Sequence, residues 1–475
     1  MLRMTAIASR MAQAKDFWVK ALLFDNEPTP ELAAILLAYF VQGIIGLSQL
    51  AVSFFLKDDL GLTPAQTSAL LGIGILPWMV KPLFGFISDG LPIARYRRRP
   101  YLVLVGLLGS GAWLAMATVV QTAWAVTVAI LVSGAAIAMS DVIVDSIVVE
   151  RVRQESQSAA GSLQSLCWSA SAWGGLIAAY LGGILLEHVS VRTVFGITAI
   201  FPLIVLGASR LIDEDPVDET HNHNIIVHQI QQLWQTIKQR SIWMPALFIF
   251  LWQATPSSGS AFFFFVTNDL GFQPEFLGRL NFVTSVAGLL GVWFFQQFLK
   301  AVSIHKIIAW SIVISTLLGL SALVLVTHTN RTLGISDQWF SLGDTLVLAV
   351  MGKIALMPLL VLAARICPVG IEATLFALLM SVFNGASLVS QEGGAILTHL
   401  LGITETNFDQ MWLLVLITTL SSLLPLPFLG LLSSSDPPTQ PSEAGAKLPS
   451  EPEPPTTNPI LANPVSRSPI RNASD

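Results

Sequence analysis

Charge is what this sequence has least of. Only 12% of its 475 residues are Asp, Glu, Lys or Arg, about half the share of a soluble domain. A chain so poor in charge cannot coat two or three water-soluble domains of this total length. Cysteine is nearly absent too. Cys167 and Cys367 both lie inside apolar stretches, which excludes a disulfide framework and any multi-cysteine metal site. There is no basic surplus either. A net charge of −5 and a pI of 5.8 exclude a nucleic-acid partner. No Gly-x-Ser-x-Gly elbow, Walker loop or His-Glu-x-x-His occurs, so nothing requires catalysis, a cofactor or a metal. What is abundant is apolar. The hydrophobic share is 53% and the mean hydropathy +0.67, roughly 250 residues, enough for about a dozen membrane helices of ~20 residues each.

Clusters of Pro, Gly and charge divide that share into helices near 33–56, 66–87, 101–120, 123–148, 159–185 and 191–211, then 242–267, 275–299, 304–327, 339–366, 370–401 and 409–432. The predicted fold class is an all-α integral membrane protein. It has twelve transmembrane helices in two six-helix pseudo-symmetric halves, with both termini cytoplasmic. Residues 1–32 form a cytoplasmic N-terminal segment, 33–211 the first half and 242–432 the second. A linker at 212–241 carries an amphipathic helix, and a Pro/Ser-rich disordered tail runs over 433–475. His221, His223 and His228 of the linker read as solvated residues, since no cysteine or supporting pattern accompanies them. Orientation follows from the basic residues. With the N-terminus inside, sixteen Lys and Arg fall on inner segments before the tail, against Lys57, Arg192 and Arg331 outside.

The halves share a string. Phe55-Leu-Lys-Asp-Asp-Leu-Gly-Leu-Thr-Pro64 closes the first helix and Phe265-Val-Thr-Asn-Asp-Leu-Gly-Phe-Gln-Pro274 the seventh. Asp, Leu, Gly and Pro recur at an offset of 210. A repeat at the same point of the helix order, on the same side, is a parallel repeat about an axis along the membrane normal.

Charge inside a bilayer marks function by default. Lys81 lies in the second helix between Pro77 and Pro82. Asp141 and Asp145 of the fourth helix are spaced i, i+4 and share one face at a similar depth. The three are expected to meet, either as a static pair or as one that changes partner or takes a proton. Asp89, Arg97 and Arg98 follow the second helix, and Glu150 and Arg151 end the fourth. They are expected to latch at the cytoplasmic edge, with Arg365 and Glu372 at the same level in the second half.

These strings resemble the folate–biopterin transporter family of the major facilitator superfamily. The resemblance rests on Pro77-Trp78-x-x-Lys81-Pro82-x-x-Gly85-x-x-x-Asp89-x-x-Pro92 with Arg97, Arg98 and Tyr101. It rests also on Asp141-x-x-x-Asp145 leading into Glu150-Arg151-x-Arg153, and on Arg365-x-x-Pro368-x-Gly370-x-Glu372-x-Thr374. It spans about residues 30–432. Arg95 departs from it, standing in a turn where such proteins often have Gly. The resemblance implies a membrane transporter of folates or related pterins, driven by protons and working as a monomer in the lipid bilayer. Transport of another small organic anion is the first alternative, and a membrane-embedded lipid flippase or enzyme the second. The absence of a transit region before the first helix favours a bacterial or cyanobacterial plasma membrane over a plastid envelope.

A folate has a flat, hydrogen-bonding ring and an anionic glutamate end. Its site needs aromatic faces, amides and a cation near the midplane. Lys353 of the tenth helix is the candidate for the carboxylate, with Glu392 as the competing partner. Trp78 and Trp168 are candidates for stacking. Gln42, Gln49, Gln253, Asn384 and Gln391 supply amides, or serve only to hold helices together. Pro256-Ser-Ser-Gly259 is expected to break the seventh helix. Gly175, Ala179 and Gly183 read as a face for close helix packing.

Overall fold

A computed structural model of the chain describes Leu23 and residues 26–153, 157–216, 238–299, 302–365 and 372–435. The expected amphipathic linker helix, its three histidines, Cys367, the Pro368–Gly370 turn and the C-terminal tail lie outside the described residues.

The described chain is helical. The helices are α1 (Pro30–Asp59), α2 (Pro64–Gly90), α3 (Arg99–Thr118), α4 (Ala123–Arg153), α5 (Gln157–His188), α6 (Val191–Leu211), α7 (Arg240–Gln253, resuming at Gly259–Phe264), α8 (Pro274–Leu299), α9 (Ile304–Gly319, resuming at Ala322–Val326), α10 (Asp337–Arg365), α11 (Glu372–Leu400) and α12 (Met411–Leu432). Among the described residues, ten helices are long and apolar enough to cross a membrane. This is a multi-pass membrane protein.

Local sequence sets the helix starts. Thr29 accepts a hydrogen bond from the Leu32 amide, and Pro30 takes the first turn of α1. Thr63 and Gln66 form a reciprocal capping box on α2, again with proline at the first helical position. Arg95, Arg97, Arg98, Arg99 and Arg151 gather at one end of the bundle, called here the arginine-rich end; the 55–64 and 265–274 strings lie at the far end.

The repeat is structural. Each copy closes its helix with a five-residue π turn, Phe55–Asp59 and Phe265–Asp269. Leu60 N–H donates to Phe55 O at 3.0 Å, and Leu270 N–H to Phe265 O at 3.2 Å. Gly61 and Gly271 follow at φ of +61° and +67°. No atom crowds either position, so the left-handed backbone, not lack of space, selects glycine. The copies touch. Lys57 Nζ donates to Asn268 Oδ1 at 2.8 Å, and the Phe54 and Phe263 rings meet edge to face at 5.3 Å.

Apolar packing follows the same organisation. One core is drawn wholly from residues 32–212. A second joins Leu50 and Phe54 to residues 261–415 at the far end. A third lies among residues 248–432. Close approach of α5 to α8 depends on the small-residue face: Gly183 and Gly278 meet so tightly that a Cβ on Gly183 would stand 2.5 Å from Pro274 O.

Candidate functional site

The site begins with a missing hydrogen-bond donor. Pro82 has no N–H, so the Trp78 carbonyl four residues earlier loses its helical partner. α2 accordingly breaks at Val80 and resumes at Lys81. The freed Trp78 oxygen accepts from Asn384 Nδ2 of α11 at 3.2 Å. A backbone group released at membrane depth must find such a partner. The proline in α2 thereby ties the first half to the second.

At that break the expected charges meet. Lys81 Nζ pairs with Asp141 Oδ2 and stands 4.8 Å from the centre of the Trp78 ring, within range of a cation–π attraction. One turn along α4, Asp145 Oδ1 accepts a hydrogen bond from the Tyr39 hydroxyl of α1. Asp141 and Tyr39 are both buried. Tyr39 is a site residue that the motifs do not reveal.

The amides disperse. Gln42 Nε2 is buried without a hydrogen-bond partner among the described residues. It lines a small cavity of about 20 Å³ with Ser140, Val105, Ala136 and Pro202. A tight turn at Ile45 and Gly46 interrupts the α-helical bonding between Gln42 and Gln49. Gln49 is exposed at the far end. Gln253 Nε2 donates to Ser387 Oγ at 2.9 Å. Gln391 accepts from Ser68 Oγ at its backbone and side-chain oxygens, 3.0 and 3.1 Å away. The expected break in α7 is present. Ser257 N–H donates to Ser390 O at 3.1 Å, and Ser390 Oγ donates to Thr255 O at 2.6 Å. Asn384, Ser387, Ser390 and Gln391 thus turn α11 into a polar rail that receives breaks in both α2 and α7.

Lys353 is exposed on α10. It lies over Gly288 of α8, where a Cβ would stand 3.2 Å from its Cε. Glu392 is not its partner: the Glu392 carboxylate faces Gly72 of α2. Among the described residues Lys353 has no ion pair. Trp168 on α5 is 65% exposed.

At the arginine-rich end, Arg98 makes a two-pronged contact with Glu150. Asp89 sits in the field of Arg97, Arg98 and Glu150. Arg151 donates to Thr29 Oγ1 at 3.0 Å, holding the end of α4 on the start of α1. All of these contacts join helices of one half. The side chains of Arg365 and Glu372 lie outside the described residues. Glu214, near the start of the 212–241 linker, is anchored to the first half. Its carboxylate accepts the backbone N–H groups of Arg97, Arg98 and Arg99 at 2.6, 3.0 and 3.0 Å, an anion docked on the amide-rich start of α3. Arg95 is accommodated by a two-residue turn. Ala94 and Arg95 both take positive φ, +51° and +71°, while Ile93 and Tyr96 exchange backbone hydrogen bonds. Such a turn favours glycine.

The far end holds contacts that the sequence motifs do not mark as functional. His328 Nε2 lies 3.3 Å from Asp269 Oδ2. Asn268 Nδ2 donates to Glu405 O at 2.8 Å.

Comparison with known proteins agrees with this geometry. The sequence pattern of the BT1 family matches residues 42–451. A folate–biopterin transporter of Synechocystis sp. is 56% identical over 423 residues, covering 89% of this chain and 86% of its own. Folate transporter 2 of Plasmodium falciparum is 32% identical over 374 residues, covering 79% and 82%. Among solved structures, the nucleoside transporter NupG shares the fold with a TM-score of 0.64 at 15% identity, over 84% of this chain and 98% of its own. The chain belongs to the BT1 family.

Proposed function

We propose that the protein is a secondary active transporter that carries folates and related pterins across a membrane by alternating access, driven by protons. Twelve spans form two six-helix halves, 33–211 and 242–432, with both termini and the 212–241 linker cytoplasmic. The membrane is a bacterial or cyanobacterial plasma membrane, and the monomer is the working unit.

The observation that carries this reading is the Lys81–Asp141–Asp145 cluster at a proline break that Asn384 of the opposite half holds. Charges are tolerated at membrane depth where they pair or line a pathway, and here they lie where the halves touch. In the proposed cycle the halves rock about a central site. Lys353 takes the substrate carboxylate, and Trp78 and Trp168 offer ring faces. Gln42, Gln49, Gln253, Asn384 and Gln391 hold the ring edge or the helices around it. Asp89, Arg97, Arg98, Glu150 and Arg151 form one half of a cytoplasmic gate, and Arg365 and Glu372 supply the other. Uptake of labelled folate into vesicles, with and without a pH gradient, tests the reading. Saturable uptake stimulated by an acidic outside is expected. Vesicles that accumulate no folate above protein-free controls contradict it.

A further inference from the structure

The cluster in the first half holds one cation for two carboxylates. Lys81 is committed to Asp141 and to the Trp78 ring. Among the described residues Asp145 receives only a neutral hydroxyl, that of Tyr39. We propose that Asp145 is the residue that carries the coupling proton, while Asp141 stays ionised as the permanent partner of Lys81.

The argument is a charge balance. With both carboxylates ionised, Lys81, Asp141 and Asp145 sum to −1. A buried, uncompensated charge is expensive and is relieved by neutralisation. One proton on Asp145 brings the sum to zero without breaking an ion pair. A proton on Asp141 would strand the Lys81 ammonium instead. Tyr39 accommodates both forms, because a carboxyl group keeps an acceptor oxygen when its other oxygen carries the proton. Charged and titratable groups reach Asp145 from each neighbouring helix: Tyr39 from α1, Lys81 from α2, Asp141 from α4 itself and the buried Cys167 thiol from α5. On α3 the titratable residues stand in the first turn and point elsewhere. Arg99 lies over the Tyr96 ring, and the Tyr101 hydroxyl donates to Leu91 O. Among the described residues Lys81 is the cation that reaches Asp145; Arg151 of α4 reaches only as far as Cys167 and donates to Thr29. The cluster also touches the second half, through Trp78 and Asn384. Two other carboxylates inside helices do not share this setting. Asp344 pairs with Ser321 between α9 and α10, and Glu392 lies against Gly72. Neither adjoins an ion pair whose cation is already committed.

This inference rests on the folate-transport reading, and the test separates the two. The full chain is reconstituted in proteoliposomes with labelled folic acid as the probe. Counterflow, at equal pH on both sides with unlabelled folate preloaded, needs substrate exchange only. Accumulation under an imposed pH gradient needs a moving proton. Wild type is expected to do both. Asp145→Asn, which imitates the protonated form, is expected to keep counterflow and to lose gradient-driven accumulation. Asp145→Glu is expected to restore accumulation with a shifted pH midpoint, and Asp344→Asn and Glu392→Gln to accumulate like wild type. Accumulation by Asp145→Asn at the wild-type level overturns the proposal. So does loss of counterflow in Asp145→Asn, which assigns the residue to substrate binding or folding, and so does loss of accumulation confined to Asp344→Asn or Glu392→Gln. A wild type that exchanges folate but ignores the gradient overturns proton coupling and leaves folate transport standing. A wild type without counterflow overturns both.

Discussion

Lys81 of α2 and Lys353 of α10 stand well inside their helices, and the fold treats them oppositely. Lys81 is enclosed between an aspartate and an indole ring. Lys353 lies exposed over a glycine with no ion pair among the described residues. An ammonium at membrane depth costs ~2.5–3.5 kcal/mol or more on insertion scales. The first half offsets that cost within its own fold, so Lys81 is part of the structure whether or not substrate is present. The second half gives Lys353 no ion-pair partner among the described residues, and on this contrast rests its proposed role as receiver of the substrate anion.

Breaking the paired side should have the largest effect. Asp141→Asn strands Lys81, and removing one partner of a buried ion pair costs about 3–5 kcal/mol. Thermal unfolding of the purified protein should fall accordingly. The double variant Lys81→Met, Asp141→Leu should recover most of that stability, because an apolar pair can replace a buried ionic one, yet it should not recover transport. Recovery of transport would mean that the pair only braces α2 against α4.

Tyr39→Phe should come next. It removes one hydrogen bond to a carboxylate, worth about 1.5–3 kcal/mol, and should shift the pH dependence of uptake while counterflow persists. An unchanged pH profile would remove Tyr39 from the coupling site.

The smallest effect is expected at the contact between the two repeats. Lys57→Met removes the hydrogen bond to Asn268, worth roughly 1 kcal/mol. It should raise labelling of cysteines placed at the far end without abolishing uptake. Equal labelling would show that the π-turn contact does not hold that end shut.

Much of this was legible from residue order. The Pro256–Gly259 string foretold the break in α7, since a missing donor acts locally; the break in α2 at Val80 has the same cause at Pro82 but was not foretold. The 210-residue offset foretold paired turns, since Gly61 and Gly271 need the same left-handed backbone. The i, i+4 spacing put Asp141 and Asp145 on one face. What could not be read was pairing across long separations. Tyr39 looks like any aromatic in an apolar helix, and its partner lies 106 residues away. Glu214 looks like part of a solvated acidic run, and only the fold brings it under the α3 amides. Arg95 stands where related proteins often have Gly, and the positive φ of its turn gives the reason.

The contrast between the lysines is tested most directly by Lys353→Gln, assayed with two substrates. If Lys353 receives the substrate anion, apparent affinity for glutamate-bearing folate should fall by the value of one charge-assisted hydrogen bond, about 1.5–3 kcal/mol or roughly tenfold to a hundredfold. Uptake of a neutral pterin and the unfolding temperature should stay near wild type. Equal loss for folate and neutral pterin, or a fall in stability like that of Asp141→Asn, would contradict the account.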